Sequence, residues 1–336
     1  MKKLKRIFAV FFCLLLASGI LGGCGKAASS SAPAPSASQS GSKPLKIVTT
    51  IFPEYDWVRE ILGDKADHAE VTMLLDNGVD LHSYQPTADD IIKISDCDLF
   101  IYVGGESDGW VEDALKEAAN KDMRVINLLD VLGEQVKEEE VVEGMEAEEE
   151  ESGDEDEPEY DEHVWLSLKN AETLCNAITD ALEEIDPANK DAYASNAASY
   201  LEKLAALDGE YQTVVDNAAR KTVLFGDRFP FRYLVDDYGL SYYAAFAGCS
   251  AETEASFETI SFLAGKVDEL GLPCVLTIEG AQHKIAETIV QNSAAKNQSI
   301  LTLDSMQSTT SADAANGTTY LSVMESNLDV LKQALN

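Results

Sequence analysis

Eight short β-branched segments alternate with helical patterns along this 336-residue chain, and they constrain its fold more than any other feature. They fall into two sets of four: LKIVTTIF, AEVTMLL, DLFIYVG and RVINLL, then KTVLFG, LSYYAAF, CVLTIE and ILTLD. Strands separated by helices form right-handed βαβ units with parallel pairing. We therefore predict an α/β protein with two small parallel-sheet lobes, each with its own core.

The stretch between the two sets predicts a single long connector. DPANKDAYASNAASYLEKLAALDGEYQTVVDNAARK has Pro187 at a helix start, and no glycine follows until Gly209. Apolar residues recur there at helical spacing. We predict a rigid helix over 186–219 that joins an N-terminal lobe, 45–185, to a C-terminal lobe, 220–336, and permits only small rotations between them.

The N-terminus, MKKLKRIFAVFFCLLLASGILGGCGK, combines a basic start, an apolar segment too short for a comfortable membrane span and small residues before Cys24. This pattern predicts an export signal over 1–23, with a retained signal anchor as the alternative. LGGC resembles the lipobox of bacterial lipoproteins, in which the cysteine becomes the diacylglycerol-bearing N-terminus. Residues 24–44 then form a flexible tether to the extracytoplasmic face of the cell membrane.

The formal net charge of −35 restricts the partners of the chain. Phosphate binding depends on clustered Lys and Arg, so nucleic acid is excluded and cations or basic surfaces are favoured. So large a charge also opposes self-association, and we predict a monomer. The acidic tract at 137–161 has little hydrophobicity, which predicts a disordered loop that raises the local cation concentration.

Four cysteines remain once the signal is removed and Cys24 is lipidated, and none has CxxC or other metal-ligand spacing. They could form disulfides in three pairings, between which the sequence does not choose. Buried free thiols are the preferred interpretation for these residues, Cys97, Cys175, Cys249 and Cys274.

Two of the four histidines follow predicted strands. His82, in DLHSYQPTADDIIKIS, leaves the second strand, and His163, in DEHVWLSLKNAETL, leaves the fourth. Ligands of open α/β sheets bind beyond the carboxyl ends of strands, so we predict a shared site at neighbouring strand ends. Neutral imidazoles with one or two carboxylates suit a first-row divalent cation. His68 and His283 are interpreted as structural.

Carboxylates for such a site are available in the C-terminal lobe. Asp227, Glu279 and Asp304 end the predicted strands TVLFGD, CVLTIE and SILTLD. Polar residues at strand ends also cap helices and turns. These three are therefore candidates only in combination with the histidines.

Four segments, in order, resemble signatures of the zinc- and manganese-binding lipoproteins of ABC importers, the TroA-like solute-binding proteins that include the zinc-uptake ZnuA type: IVTTIFPEYDWVREILGD, HSYQPTADDIIKISDCDLFIYVG, DEHVWLSLKNAETLCNAITDALEEIDP and FRYLVDDYGL. The resemblance covers nearly the whole mature chain. It implies two α/β lobes joined by a long helix, with a metal held between them for delivery to a permease and its ATPase. The HxWLS context favours Zn²⁺ as cargo, with Mn²⁺ or Fe²⁺ as alternatives.

Residue by residue, the resemblance places His82 and His163 at the first two metal-ligand positions of the family and Asp304 at its carboxylate ligand. The third position usually holds His or Glu. Here DRFPFRYL places Arg228 there, and a guanidinium stays protonated and cannot coordinate a cation.

Three arrangements around Arg228 stay open. Asp227 could supply the missing oxygen after a small backbone shift. Alternatively, Arg228 pairs with Asp304 or Glu279 and supports the site, while the metal keeps a water. In the third arrangement the ligand is a metal chelate or an anion whose carboxylates Arg228 binds.

A rival interpretation starts from GESDG at 105–109, which formally matches a nucleophile elbow between a strand and a helix. It would make the chain an exported α/β hydrolase with Ser107 as nucleophile. The pattern is short, and Ser107 or Asp108 is equally suited to cap a helix starting near Trp110. A hydrolase also needs one large sheet, so we favour the cap and a protein that is not an enzyme.

Overall fold

The computed structural model describes residues 43–146, 159–250, 254–280 and 282–336. The predicted signal peptide, Cys24 and most of the predicted tether lie outside the described residues. In the described ranges the chain forms eight strands: β1 (Leu45–Thr49), β2 (Ala69–Met73), β3 (Leu99–Tyr102), β4 (Arg124–Asn127), β5 (Thr222–Leu224), β6 (Ser241–Tyr243), β7 (Cys274–Thr277) and β8 (Ser299–Thr302). The helices are α1 (Phe52–Leu62), α2 (Ala88–Ser95), α3 (Val111–Lys116), α4 (Leu128–Leu132), α5 (Leu168–Ile185), α6 (Lys190–Asn217), α7 (Arg232–Tyr238), α8 (Phe257–Leu270), α9 (Lys284–Asn292), α10 (Ser311–Ala315) and α11 (Tyr320–Leu335).

The N-terminal lobe is built on a four-stranded parallel sheet in the order β2-β1-β3-β4. Ile47 in β1 lies opposite Val71 in β2 on one side and Leu99 in β3 on the other. The predicted parallel pairing is confirmed. However, β2 and β4 are the two edges of the sheet, so the prediction that the histidine loops leave neighbouring strands is wrong. These loops approach each other across the ends of β1 and β3.

The C-terminal lobe contains two parallel pairs, β5–β6 and β7–β8. A parallel bridge between Phe225 and Leu276 connects the pairs, which gives the order β6-β5-β7-β8. The predicted second set of four strands is therefore confirmed. Asp227 follows β5, and Asp304 follows β8, both at the carboxyl ends of the strands.

The long connecting helix is α6, which is 28 residues long and so about 42 Å in length. It begins at Lys190, because Pro187 lies in the turn that separates it from α5 rather than at its first residue. The Asp186 carboxylate closes that turn by accepting hydrogen bonds from the Asn189 side chain and the Tyr193 hydroxyl, each at 2.7 Å. Among the described helices, α6 included, none is long and apolar enough to cross a membrane.

The two lobes share the main hydrophobic core, and the C-terminal lobe has a second, smaller one, so the prediction of a separate core for each lobe is wrong for the main core. The main cluster of buried side chains extends from Ile47 in β1 to Leu335 at the end of α11, and a smaller cluster lies beside α8 and α9. Trp165 Nε1 donates to the Ser305 carbonyl at 2.8 Å, and the Tyr320 hydroxyl donates to the Trp165 carbonyl at 2.7 Å. The lobes are therefore joined by packed interior as well as by α6.

The two ends of the acidic tract pair with each other, and the tract also contacts the C-terminal lobe. The Asp161 N–H donates to the Lys137 carbonyl at 2.9 Å, and the Glu146 N–H donates to the Ala245 carbonyl at 3.0 Å. The prediction of a disordered loop is wrong for these ends, because backbone pairing fixes them. The middle of the tract, 147–158, lies outside the described residues.

The four cysteines of the globular part are free thiols, which confirms that interpretation. Three of them are buried, and the fourth, Cys249, is half-buried.

Glu54 in α1 makes the stability of the fold depend on pH. It is fully buried, and burial raises its pKa from 4.5 to about 8, although the N–H groups of Thr50 and Ile51 donate to it at 2.8 and 3.3 Å. The folded chain keeps a proton that the unfolded chain releases, so stability is lost as pH rises through this range. As the pH rises from 5 to 8, the unfolding free energy of Glu54→Gln should increase by about 2–4 kcal/mol relative to that of the wild type. Urea unfolding of the metal-free protein measures this, with exposed Glu70→Gln as control; parallel pH profiles would contradict it.

Candidate metal centre

Two imidazoles face each other at the carboxyl end of the N-terminal sheet. His82 lies in the 3-10 turn Leu81–Ser83 after β2, and His163 immediately precedes the 3-10 turn Val164–Leu166. Their Nε2 atoms are 3.2 Å apart. His163 is fully buried, and the His82 side chain is 10% exposed. The structure thus brings together the two histidines that the sequence analysis singled out.

Each histidine is positioned by an aspartate two residues earlier. Asp80 Oδ1 accepts the His82 backbone N–H at 3.0 Å, and Asp161 Oδ1 accepts the His163 backbone N–H at 2.8 Å. Such a local carboxylate bond fixes the turn that presents the following side chain. The repeated pattern D-x-H, as DLH and DEH, could have identified Asp80 and Asp161 as positioning residues, which the sequence prediction did not include.

Oxygen atoms hold the Nδ1 atom of each ring. His163 Nδ1 is 2.9 Å from Asp161 Oδ1, and His82 Nδ1 is 2.8 Å from Ser107 Oγ and 3.4 Å from Glu162 Oε2. Because the Asp161 carboxylate only accepts, the ring proton of His163 lies on Nδ1. We assign the same tautomer to His82, whose Nδ1 faces the Ser107 hydroxyl and the Glu162 carboxylate. A lone pair then remains on each Nε2, and the two lone pairs face each other. That arrangement is unfavourable unless a proton or another cation lies between them.

The separation of the two nitrogens fits a shared metal ion. Tetrahedral zinc with Zn–N bonds of about 2.0–2.1 Å places two nitrogen ligands about 3.3 Å apart. The observed distance between His82 Nε2 and His163 Nε2 is 3.2 Å. Carboxylate support on the opposite ring nitrogen is also the usual arrangement around metal-binding histidines. The pair is therefore shaped for a divalent cation that accepts two imidazoles.

The loop after β3 contacts the His82 ring through Ser107. In addition to the Ser107 hydroxyl on His82 Nδ1, the Ser107 backbone N–H donates to Glu162 Oε1 at 2.9 Å. Burial would raise the pKa of Glu162, but the hydrogen bonds from His82 and Ser107 lower it. Gly105 has φ +80°, and a Cβ there would overlap Glu162 Oε1, so glycine is required for this close approach.

The prediction that Ser107 or Asp108 caps the next helix is wrong. Helix α3 begins at Val111 with no side-chain cap, while Asp108 accepts the Gly104 N–H at 2.9 Å and Ser107 contacts His82. The Ser–His contact does not make a catalytic triad. A triad needs the nucleophile and the orienting carboxylate on opposite ring nitrogens. Here the Ser107 hydroxyl and the Glu162 carboxylate both lie at Nδ1 of His82.

Cys249 lies beside the histidine pair. Its Sγ and one ring nitrogen from each of His82 and His163 all lie within 4.8 Å of one another, and within the described ranges this is the only such group of three or more His, Cys, Asp or Glu residues. Burial raises the pKa of the Cys249 thiol well above its usual value, and Asp161 is the largest electrostatic contributor to the same effect. The sequence carried no signal for this residue, because its spacing from the histidines matches no metal motif.

Arg228 connects the two lobes at this site. Its Nη2 pairs with Asp80, and its Nη1 donates to the Ser250 carbonyl at 3.4 Å. Of the three open arrangements, the one in which Arg228 pairs with Asp304 or Glu279 is therefore not the one that the structure has. Burial acts to raise the pKa of Asp80, but the charge and hydrogen bond of Arg228, together with the contributions of His82, outweigh burial and lower that pKa.

The three carboxylates of the C-terminal lobe bind backbone N–H groups. Burial raises the pKa of Asp304 to about 6, with a further contribution from Glu279. Their contacts are Asp227 with the N–H groups of Arg228 (3.0 Å) and Ile278 (3.3 Å), Glu279 with those of Ser305 (2.6 Å) and Gln307 (3.0 Å), and Asp304 with that of Met306 (2.8 Å). Among the described residues they do not join the group of ligand atoms around the histidine pair, and their part in metal binding stays a prediction.

A cavity of about 290 Å³ opens beside the histidine pair. Its wall contains no Lys or Arg among the described residues, so its field attracts cations. The lining residues are His82, Ser107, Tyr160 and Cys249, with the glutamates Glu106, Glu139, Glu159 and Glu162.

Two parallel-sheet lobes, a long connecting helix and paired imidazoles at the strand ends define a solute-binding protein of the TroA-like type. The family model described as zinc-uptake complex component A periplasmic (ZnuA) matches residues 47–334. The chain belongs to this family.

Individual relatives agree with this assignment. The high-affinity zinc uptake system protein ZnuA of Bacillus subtilis is 31% identical over 337 residues, which cover 99% of this chain and 98% of the relative. The zinc-binding lipoprotein AdcA of Streptococcus pneumoniae is 32% identical over 295 residues, 86% of this chain and 55% of AdcA, so the chain spans about half the length of that relative. The crystal structure of the Zn(II)-bound ZnuA-like domain of AdcA matches with a TM-score of 0.67 at 30% identity, covering 87% of this chain and 98% of that domain.

Proposed function

We propose that the protein is an extracytoplasmic receptor that captures Zn²⁺ and delivers it to an ABC permease and its ATPase. The observation that carries the proposal is the pair of Nε2 atoms of His82 and His163, which face each other at 3.2 Å with both Nδ1 atoms held by oxygen. The zinc-binding names of the relatives support zinc as the cargo. The ion is taken up and released, and no bond of a substrate is broken.

The acid-lined cavity supports capture of a cation rather than of an anion or a metal chelate. Four of its lining residues are glutamates. The one guanidinium at the site, that of Arg228, is paired with Asp80 among the described residues and so is not available to bind the carboxylates of a chelator. The cavity therefore concentrates small cations beside His82.

The anchoring of the receptor follows from its N-terminus. We infer that Cys24 carries the lipid and that residues 24–44 tether the globular part to the outer face of the membrane. The lipoprotein name of AdcA supports this assignment. A tethered receptor remains near its permease, which raises the effective concentration of loaded protein at the transporter.

Metal titration of the mature chain, residues 24–336, tests the proposal. We expect one Zn²⁺ per chain and a rise in the melting temperature, because a ligand that binds only the folded state stabilises it by mass action. At one hundred times Kd the gain is about 2.7 kcal/mol. Mn²⁺ and Fe²⁺ are measured in parallel to test the alternative cargoes. If no divalent metal shifted the melting temperature, the proposed function would be wrong.

A further inference from the structure

We propose that the Cys249 thiolate is the third protein ligand of the metal, so that the site is His₂Cys. This inference rests on the proposed function and specifies its ligand set. It replaces the predicted carboxylate from the C-terminal lobe by a sulfur from the loop that follows β6.

The distances permit this coordination. In a tetrahedral site with a Zn–S bond of about 2.3 Å and a Zn–N bond of about 2.0–2.1 Å, sulfur and nitrogen lie about 3.6 Å apart. In the structure the Cys249 sulfur lies within 4.8 Å of a ring nitrogen of both His82 and His163. This upper limit exceeds the coordination separation by only about 1.2 Å, a gap on the scale of a side-chain rotation.

The loop that carries Cys249 is held against His163. A Cβ on Gly248 would lie 2.9 Å from the Phe229 carbonyl and 3.2 Å from the His163 ring, so glycine lets the loop approach that ring. The Cys249 backbone N–H donates to Glu139 Oε1 at 2.9 Å. These contacts fix the backbone at Gly248 and at the Cys249 N–H, and so the fold holds the thiol beside the histidine pair.

Arg228 accounts for the change of ligand. A guanidinium cannot coordinate a cation, and this one is turned to Asp80 and to the Ser250 carbonyl, next to Cys249. The residue that stands at the third ligand position therefore stabilises the loop that supplies the sulfur. Asp227 does not replace it, since both of its oxygens accept backbone N–H groups.

A thiolate ligand also selects the cargo. The binding step is the exchange of the Cys249 S–H proton for a Zn–S bond, with the proton released to solvent. Thiolate is a soft ligand that suits zinc, whereas manganese prefers carboxylate and water oxygens. His82 and Cys249 both line the acidic cavity, so the fourth position of the ion is open to it.

Cobalt substitution of the mature chain tests the inference. Co²⁺ should give a sulfur-to-cobalt charge-transfer band in the near ultraviolet, and zinc-edge X-ray absorption should show one sulfur at about 2.3 Å. Cys249→Ser should lose both signals and bind Zn²⁺ about 10–100-fold more weakly. Cys274→Ser, at a thiol on β7, is the matched control and should keep them. Melting of the metal-free variants shows whether each one folds.

The outcomes separate this inference from the proposed function. One tightly bound Zn²⁺ without a sulfur signal, and with equal affinity in Cys249→Ser, would overturn the His₂Cys site and leave the zinc receptor intact. A wild-type chain that binds no Zn²⁺ would overturn both. If Cys249→Ser proves unstable without metal, the sulfur signals of the wild-type chain decide alone: their presence supports the thiolate ligand, and their absence rejects it.

Discussion

Replacing His82 and His163 together by alanine should abolish tight zinc binding and the accompanying rise in melting temperature. The change removes both nitrogen ligands, and it leaves the buried carboxylates of Asp161 and Glu162 without their imidazole partners. We expect Kd for Zn²⁺ to rise on the order of 1,000-fold or more, which corresponds to about 4 kcal/mol. Competition against a chromophoric chelator measures the change.

The other two histidines provide the control for this experiment. His68 is exposed, and His283 lies at the N-terminus of α9, so the double variant His68→Ala, His283→Ala removes the same number of imidazoles without touching the His82–His163 pair. It should bind zinc as the wild type does. Equal losses in the two double variants, or tight binding in the first, would contradict the assignment of the site.

Replacing Arg228 by alanine should destabilise the metal-free protein by about 2–4 kcal/mol. The guanidinium pairs with Asp80 across the two lobes, and both side chains are only about one-fifth exposed, at 19% and 20%. Its removal leaves the Asp80 carboxylate in a poorly solvated place without a counter-charge. Urea unfolding in the presence of a chelator measures the loss.

A double-mutant cycle with Asp80→Asn isolates the ion pair. Asparagine keeps the side-chain oxygen that accepts the His82 backbone N–H, so the turn that presents the histidine is preserved. Asp80→Asn should recover part of the stability lost in Arg228→Ala, because the unpaired charge is then absent. Strictly additive effects of the two changes would show that the contact contributes no coupling energy.

The strands and helices could be predicted from the sequence because short, local patterns of residues specify each of them. Parallel strands that are covered on both faces read as short runs of Val, Ile and Leu, and β1, β3 and β7 each coincide with such a run. The helix patterns between them predict the βαβ connections. The order of strands in the sheet is not local information, which is why the loops of His82 and His163 were expected at neighbouring strands and lie at opposite edges.

The site was predictable only in part for the same reason. The two histidines stand in local motifs, D-x-H, that fix their own turns. The partner of Arg228 and the position of Cys249 depend on how one lobe packs on the other, and charge alone gave Asp304 and Glu279 as equally good partners. Ser107 was expected to cap a helix, but its hydroxyl instead forms a contact with His82 that no short pattern encodes.

The contacts of Trp165 have a kinetic consequence for metal exchange. This residue lies two positions after His163 and is hydrogen-bonded to Ser305 in the other lobe, within a continuous core. A wide hinge opening would have to break that core, so the dissociation rate of the ion should be governed by the short loops of His82 and Cys249. On the proposed function, the conformation of these loops is then what would distinguish the loaded from the empty protein for a permease.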